Sequence, residues 1–229
     1  MNKVGGFTDI SEDMAKMLAL PRVQGAAPAI LGKGMIESHT NQVFIDLKGI
    51  DTEREKTVTE LERSIRAGSL DALNRSQDET PGILIGVDLA KSLEVSVGDQ
   101  VKLLSTRVEL SPFGAVFIKP TFEVAGIFSL GLYEYDSAYG IVQLDAARRL
   151  LGAEAPAVVE LRVDDMFRAE EVARAITDRV GVEYFAQSWS DLNKSLFSAL
   201  WLEKMAISIT IGLIVMVAAL NIIASLISS

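Results

Sequence analysis

The sequence contains no cysteine and a single histidine, and this scarcity removes several kinds of site. Without cysteine there is no disulfide framework, no thiolate metal site and no cysteine nucleophile. His39 cannot build a multi-histidine metal centre, and its neighbours Glu37–Asn41 resemble a polar turn rather than part of a catalytic triad. We therefore predict no catalytic residues, no metal site and no cofactor, and we expect that the chain is not an enzyme.

Positive charge is also scarce. The 229 residues include 22 Lys and Arg against 31 Asp and Glu, which gives a formal net charge of −9. Proteins that bind nucleic acid use clustered Lys and Arg to neutralise phosphates, and no basic run of that kind occurs here. The composition therefore excludes a nucleic-acid partner.

Charge of either sign is absent from the last 24 residues, Ala206–Ser229. As a helix this segment would be about 36 Å long, against about 30 Å of bilayer hydrocarbon. Ser188 and Asp191 have the spacing of a capping box, so we predict one long helix over 188–229 that crosses a membrane from about residue 206. The alternative is a buried helix of a soluble fold, but such a helix would normally show a polar face.

The rest of the sequence predicts an α+β fold. Apolar spacing predicts a helix over Thr8–Leu20 that stops at Pro21, followed by two extended stretches. Near the other end a strand, a helix and a short strand follow one another, so the two groups of elements can share one sheet. The extended stretches and the later strands are Val23–Ile36, Val43–Gly49, Val159–Val163 and Val182–Phe185.

An insertion lies between these two groups. It begins with a predicted amphipathic helix that carries Val58, Leu61 and Ile65 and ends at Gly68, and it continues with strands and one short helix at Val87–Leu93. We predict three parts: residues 1–50 and 155–187 form a discontinuous α/β subdomain, residues 51–154 form an inserted, mainly β subdomain, and residues 188–229 form the long helix.

One segment of the insertion is unusually apolar for a solvated arm. Its strands flank Pro112 and Gly114, which are turn residues, and this pattern predicts a hairpin over about 107–119. The hairpin either packs on its own sheet, as most apolar strands do, or projects and captures a partner. The candidate partner-binding residues at its tip are Leu110, Ser111, Pro112, Phe113, Gly114 and Ala115.

Three stretches together resemble a known family, the permease subunits of the lipoprotein-releasing ABC transporter (LolC and LolE type) within the MacB-like superfamily. The second stretch is the most specific, and their order and spacing agree with the family over nearly the whole chain. The stretches are Ile85–Ala90 with Val97–Val101, then Val124–Phe128 with Gly131–Ser137, then Leu202–Lys204 leading into Leu213–Ile223.

This resemblance implies a periplasmic domain with a porter-like part and an inserted sabre-like part, held in the bacterial inner membrane. It implies that the protein pairs with a second permease subunit, recruits a separate ATP-binding subunit, and passes lipoprotein cargo to a periplasmic lipoprotein chaperone. In LolC-type members a hairpin hook grips that chaperone, and the matching hairpin here is the one described above. The family's first membrane helix, its last two and the loop between them have no counterpart in the sequence, so we expect either a fragment of a longer protein or an incomplete reading frame.

Two other functions stay open. A MacB-like exporter or an FtsX-like signalling permease would use a related domain to engage another envelope partner. A membrane-anchored hydrolase would act through serine and carboxylates, and Glu134 and Asp136, which are close in a Tyr-rich segment, could form a carboxylate pair.

Overall fold

The structure is a computed structural model, and it describes residues 2–3, 10–75, 79–105, 108–111, 114–117, 119–165, 168–180, 184–187 and 194–228. The chain forms two compact units, residues 1–186 and residues 187–229. The first unit holds all the described strands, and the second holds one long helix.

The described strands are β1 Asn2–Lys3, β2 Val23–Glu37, β3 Gln42–Ile50, β4 Ile65–Gly68, β5 Gly82–Gly86, β6 Gln100–Ser105, β7 Val108–Ser111, β8 Gly114–Phe117, β9 Thr121–Phe128, β10 Tyr139–Gln143, β11 Val158–Val163 and β12 Tyr184–Phe185. The described α-helices are α1 Ile10–Leu18, α2 Thr52–Val58, α3 Leu61–Ser64, α4 Val87–Leu93, α5 Tyr133–Ala138, α6 Leu144–Leu151, α7 Ala169–Val180 and α8 Lys194–Ser228. A 3₁₀ turn covers Asp71–Leu73.

The mixed α+β class is confirmed, because ten of the strands form one sheet that helices cover. β11 pairs antiparallel with β2, so the two ends of the first unit share that sheet as the sequence predicts. Here α1 and α7 bury Met14, Met17, Val172 and Ile176 in a common apolar cluster. The apolar spacing of both helices is therefore satisfied by one layer of packing.

Six strands of the sheet close into a ring. β2 pairs with β3, β3 with β10, β10 with β5, β5 with β9, β9 with β6, and β6 pairs back onto the end of β2. β2 makes this possible because it is 15 residues long: its first half pairs with β11, and Gly34–Glu37 pair with β6. We call this ring the barrel.

The barrel has a buried apolar interior to which all six strands contribute. Its apolar cluster includes Ile36, Ile45, Phe122 and Val124, and α4 adds Leu93. Closure removes the free edges that an open sheet would expose.

β2 and β3 lie outside the predicted insertion 51–154 and the other four barrel strands lie inside it, so the division into porter-like and inserted subdomains stays a prediction.

The predicted helix that ends at Gly68 is wrong in its second half. The helical segments α2 and α3 stop by Ser64, and Ile65–Gly68 instead form β4 at the edge of the sheet, paired with β9. Gly68 has φ of +79° and lies against the backbone of Ala125, a conformation and a closeness that only glycine accepts. Strand pairing therefore overrode a local helical pattern.

The second unit is the continuous helix α8, and the predicted long helix is confirmed over Lys194–Ser228; its predicted first residues, 188–193, lie outside the described residues. Within Ser198–Ile227, the most apolar window of 18 residues has a mean hydropathy of 2.5 and is 0% buried. The segment is long and apolar enough to cross a membrane.

Candidate functional site

The predicted hook coincides with a small sheet of its own. β7 and β8 pair antiparallel, with Leu110 opposite Ala115 and Ser111 opposite Gly114. Within the described residues no other strand pairs with either of them. The structure therefore brings four of the six predicted tip residues together at the backbone level, and the other two, Pro112 and Phe113, lie outside the described residues. Partner binding by these residues stays a prediction.

The base of the hairpin is attached to the barrel. β6 leads into the hairpin and β9 follows it, and these two strands pair antiparallel from Gln100–Glu123 to Lys102–Thr121. The Leu103 amide donates to the Pro120 carbonyl at 3.0 Å. Lys119 also forms an ion pair with Glu37 of β2, with 3.1 Å between Nζ and Oε2. A barrel strand therefore holds each side of the base.

A polar pocket lies on the barrel near this base, lined by Glu37, Ser38, His39, Lys102 and Thr121. The Ser38 hydroxyl accepts from the amides of Thr40 and Asn41, so the predicted polar turn around His39 is present. Among the residues that the structure describes, no group of three or more His, Asp and Glu side chains is placed to hold a metal ion.

The carboxylates considered for hydrolysis have different surroundings. Asp136 is 3% exposed and accepts hydrogen bonds from the Leu130 amide at 2.7 Å, from the Gly131 amide at 3.1 Å and from the Ser129 hydroxyl at 3.2 Å. Glu134 is exposed. The Asp136 carboxylate therefore fixes the loop before α5, and its acceptor positions face donors of that loop rather than a substrate cleft.

The structure contains a buried charge cluster that the sequence did not predict. The Lys48 ammonium lies 2.9 Å from Glu55 Oε1 and 2.7 Å from Glu160 Oε2, and it joins β3, α2 and β11. Burial lowers the pKa of Lys48, but the attraction of the two carboxylates outweighs it, so the pKa is raised above 10.5. The partners are 7 and 112 residues from Lys48 in sequence, and no local motif signals such a contact.

We refer to this group as the Lys48 cluster. Glu55 is almost fully buried, with a side-chain exposure of 2%. One of its oxygens, Oε1, also accepts from the Thr59 hydroxyl at 3.0 Å, while Oε2 has no hydrogen-bond partner among the described residues. The cluster links α2 to the sheet. Because the Glu55 carboxylate is buried, the stability of its charge depends on the Lys48 ammonium.

Comparison with known proteins identifies the family. Residues 2–179 match the MacB-like periplasmic core domain family. The lipoprotein-releasing system transmembrane protein LolC of Xylella fastidiosa is 30% identical over 217 residues, which are 95% of this chain and 52% of that protein. LolC of Neisseria meningitidis is 28% identical over 90% of this chain, and LolE of Haemophilus influenzae is 23% identical over 90%. The chain spans about half the length of these relatives.

Solved structures with the same fold are more distant in sequence. The periplasmic region of MacB from Actinobacillus actinomycetemcomitans superposes with a TM-score of 0.52 over 86% of this chain and 84% of that chain, at 11% identity. The extracellular domain of the noncanonic ABC-type transporter YknZ from Gram-positive bacteria gives 0.50 over 76% of this chain and 84% of that chain, at 17% identity. With the family match over residues 2–179, these likenesses place the chain in the family of MacB-like periplasmic core domains.

Proposed function

We propose that the chain is the periplasmic domain and one membrane helix of a lipoprotein-releasing permease of the LolC and LolE type. The observation that carries this proposal is the similarity to LolC of Xylella fastidiosa across 95% of the chain. In this proposal α8 crosses the inner membrane and the first unit lies in the periplasm. In the same proposal, a separate ATP-binding subunit hydrolyses ATP and the permease does not.

The hairpin is the proposed contact with the periplasmic lipoprotein chaperone. Three features of the described residues support this role: β7 and β8 form a separate two-stranded sheet, the barrel holds both sides of its base, and its outer edges carry no further strand. A two-stranded arm is barely stable alone, and a bound partner would cover its apolar tip. The second permease subunit and the lipoprotein cargo complete the proposed set of partners.

Photo-crosslinking in cells tests the hairpin. A photoreactive amino acid replaces Phe113 in the full-length protein, and we expect an adduct with the lipoprotein chaperone. The adduct should disappear when Pro112 and Gly114 are both replaced by Ala, because the two changes alter the turn. Tyr133, which is 75% exposed on α5, is the matched aromatic control position and should give no chaperone adduct.

The absence of a chaperone adduct at position 113, at normal expression, would contradict chaperone binding by the hairpin. An equal yield from positions 113 and 133 would also contradict it, because the contact would then not be specific to the hairpin. Either result would leave the family assignment intact.

A MacB-like exporter is the second candidate, favoured by the fold shared with the periplasmic region of MacB. Deletion of the gene separates the two functions. A lipoprotein-releasing permease predicts that mature outer-membrane lipoproteins accumulate in the inner membrane, whereas an exporter predicts that their distribution is unchanged.

A further inference from the structure

The first unit contains two apolar cores that meet on one strand. β2 pairs with β11 from Val23 to Ala29 and with β3 from Ala29 to Glu37, so Ala29 is its one described residue that pairs with both. On one face of β2 the apolar cluster changes at the same place: Ala26 belongs to the cluster of α1 and α7, and Ile30 belongs to the barrel cluster. Among the described residues, no side chain belongs to both clusters.

We call the part built on the first half of β2 the terminal module, because it holds both ends of the first unit. It consists of α1, α7, β1, β11, β12 and residues 23–28 of β2. β12 precedes α8 in the chain, whereas the hairpin is connected to the barrel through β6 and β9. The boundary between the terminal module and the barrel therefore lies between the hairpin and the strand that precedes the membrane helix.

Charged side chains connect the two parts across this boundary. Lys48 of β3 lies 2.7 Å from Glu160 of β11, and Glu60, which follows α2, lies 3.0 Å from Arg162 of β11. Water reaches both pairs, since the side chains of Glu160 and Arg162 are 29% and 40% exposed. A polar contact can exchange its partner for water at small net cost, whereas separating two apolar surfaces exposes their whole area. The boundary is therefore held by a few specific bonds rather than by a shared core.

The helix α2 spans the boundary. It follows β3, and it packs on the first half of β2, where a Cβ on Gly25 would lie 2.6 Å from the Thr57 carbonyl oxygen. The same face of β2 carries Ala27 and Ala29, which are both fully buried. Small side chains do not interdigitate deeply with a helix, so α2 can slide on this face by small steps, as packed helices do in shear motions.

We infer that the first unit has an internal joint at this boundary, where the barrel turns relative to the terminal module about β2 near Ala29. The Lys48 cluster and the ion pair of Glu60 with Arg162 hold this joint closed. When both contacts with β11 are broken, the backbone of β2 and the sliding contact of α2 still connect the two parts, so the joint opens without unfolding either core.

A small turn at the joint displaces the base of the hairpin. Glu37, which pairs with Lys119 at that base, lies eight residues beyond Ala29, or about 26 Å along the strand. At this radius a turn of about 10° moves the base by about 5 Å relative to the terminal module. In the proposed permease this displacement would move the chaperone contact relative to β12, and only this consequence rests on the proposed function.

Distances between spin labels test the joint, and the lack of native cysteine lets two thiols be placed at chosen sites in the full chain. Ala175→Cys on α7 and Ser92→Cys on α4 give a pair that spans the boundary. Ser92→Cys with Arg149→Cys on α6 gives a control pair on the barrel side alone. All three positions are exposed. Electron paramagnetic resonance of the labelled chain in lipid vesicles measures the distribution of each distance.

Glu160→Gln weakens the contact across the boundary and leaves Lys48 beside Glu55, so the buried carboxylate keeps its cation. The distribution of the distance between positions 92 and 175 should broaden by about 5 Å, and the addition of Arg162→Gln should broaden it further. Asp46→Asn is the matched control, because Asp46 pairs with Lys33 inside the barrel. It should leave both distributions unchanged.

An unchanged distribution between positions 92 and 175 in the double variant would overturn the joint, because the first unit would then be rigid. Equal broadening in Asp46→Asn would also overturn it, as would broadening between positions 92 and 149, since the barrel itself would then have loosened. Both labels lie in the first unit and no chaperone is present. Failure of the joint is therefore distinguishable from failure of the hairpin crosslink, which tests the proposed function.

Discussion

The barrel and α8 are both strongly apolar, but their apolar side chains have opposite surroundings. In the barrel, Ile83 and Ile85 of β5 are fully buried, with 0% exposure each. On α8, the most apolar window is 0% buried, and Leu213 and Ile214 are 56% and 64% exposed. The barrel therefore gains its hydrophobic stabilisation within the chain, whereas α8 gains it only from a membrane or another helix.

The hairpin differs from the barrel in the fate of its strand edges. Ring closure pairs each barrel strand on both sides, while β7 and β8 pair only with each other among the described residues. Edges without partners are available to other chains, and closed rings are not. The barrel therefore supplies stability, whereas the hairpin and α8 are suited to contacts with other molecules.

The largest loss of stability should come from truncating a large side chain in the barrel interior. Phe122 is 2% exposed, and Phe122→Ala should lower the free energy of unfolding by about 3–5 kcal/mol through lost burial and the cavity left behind. Phe44→Ala is the matched control, because Phe44 is 81% exposed on β3 and should change stability by less than about 0.5 kcal/mol. Urea unfolding of the full chain in detergent, followed by circular dichroism, measures both. Similar losses in the two variants would refute the barrel as the core.

The next effect should come from the Lys48 cluster. Lys48→Met leaves the buried Glu55 carboxylate without its cation and should cost about 2–4 kcal/mol of unfolding free energy. Lys33→Met is the control, because Lys33 is 82% exposed in its pair with Asp46 and should contribute less than about 0.5 kcal/mol. The double change Lys48→Met with Glu55→Leu should recover most of the loss. A double variant no more stable than Lys48→Met would argue against a charge effect.

The same cluster predicts a direction for pH dependence. Because the pKa of Lys48 is higher in the folded state than its ordinary 10.5, its contribution to stability is full below pH 10.5 and is lost as the pH rises through the folded value. The stability difference between the parent chain and Lys48→Met should therefore hold at neutral pH and shrink in strong alkali. A difference that grows with rising pH would contradict the raised pKa.

The smallest effect should come from the base of the hairpin. Lys119→Met removes an ion pair whose side chains are 47% and 35% exposed, and it should change unfolding free energy by less than about 1 kcal/mol. Added salt should reduce even that difference, because salt screens exposed charges. Unfolding at low and at high salt gives the comparison. A loss of several kcal/mol that persists in salt would mean that the hairpin base is part of the core after all.

Local patterns in the sequence predicted many of the separate elements. The apolar spacing that ends at Pro21 predicted α1, the stretch Val87–Leu93 predicted α4 with the observed bounds, and the turn residues Pro112 and Gly114 predicted strands on either side of them. These predictions depend on interactions between residues close in sequence, which a sequence displays directly.

Contacts between distant residues were beyond such patterns. β10 and α6 were missed as elements, and β10 pairs in parallel with β3, about 90 residues earlier in the chain. Helix α6 packs on β3 because Gly49 carries no Cβ, which would otherwise lie 2.3 Å from the Ala147 Cβ. No residue near Gly49 in the sequence indicates that Ala147 packs against it.

The sequence by itself determined the class of the fold, the absence of cysteine chemistry and the apolar helix α8, because composition and periodicity follow directly from residue type and order. Tertiary structure alone decided that six strands close into a ring, that Ile65–Gly68 is a strand, and that Lys48 meets Glu55 and Glu160. These features depend on which segments come together in space, and burial and pairing across the fold then outweigh the weak preferences of each segment.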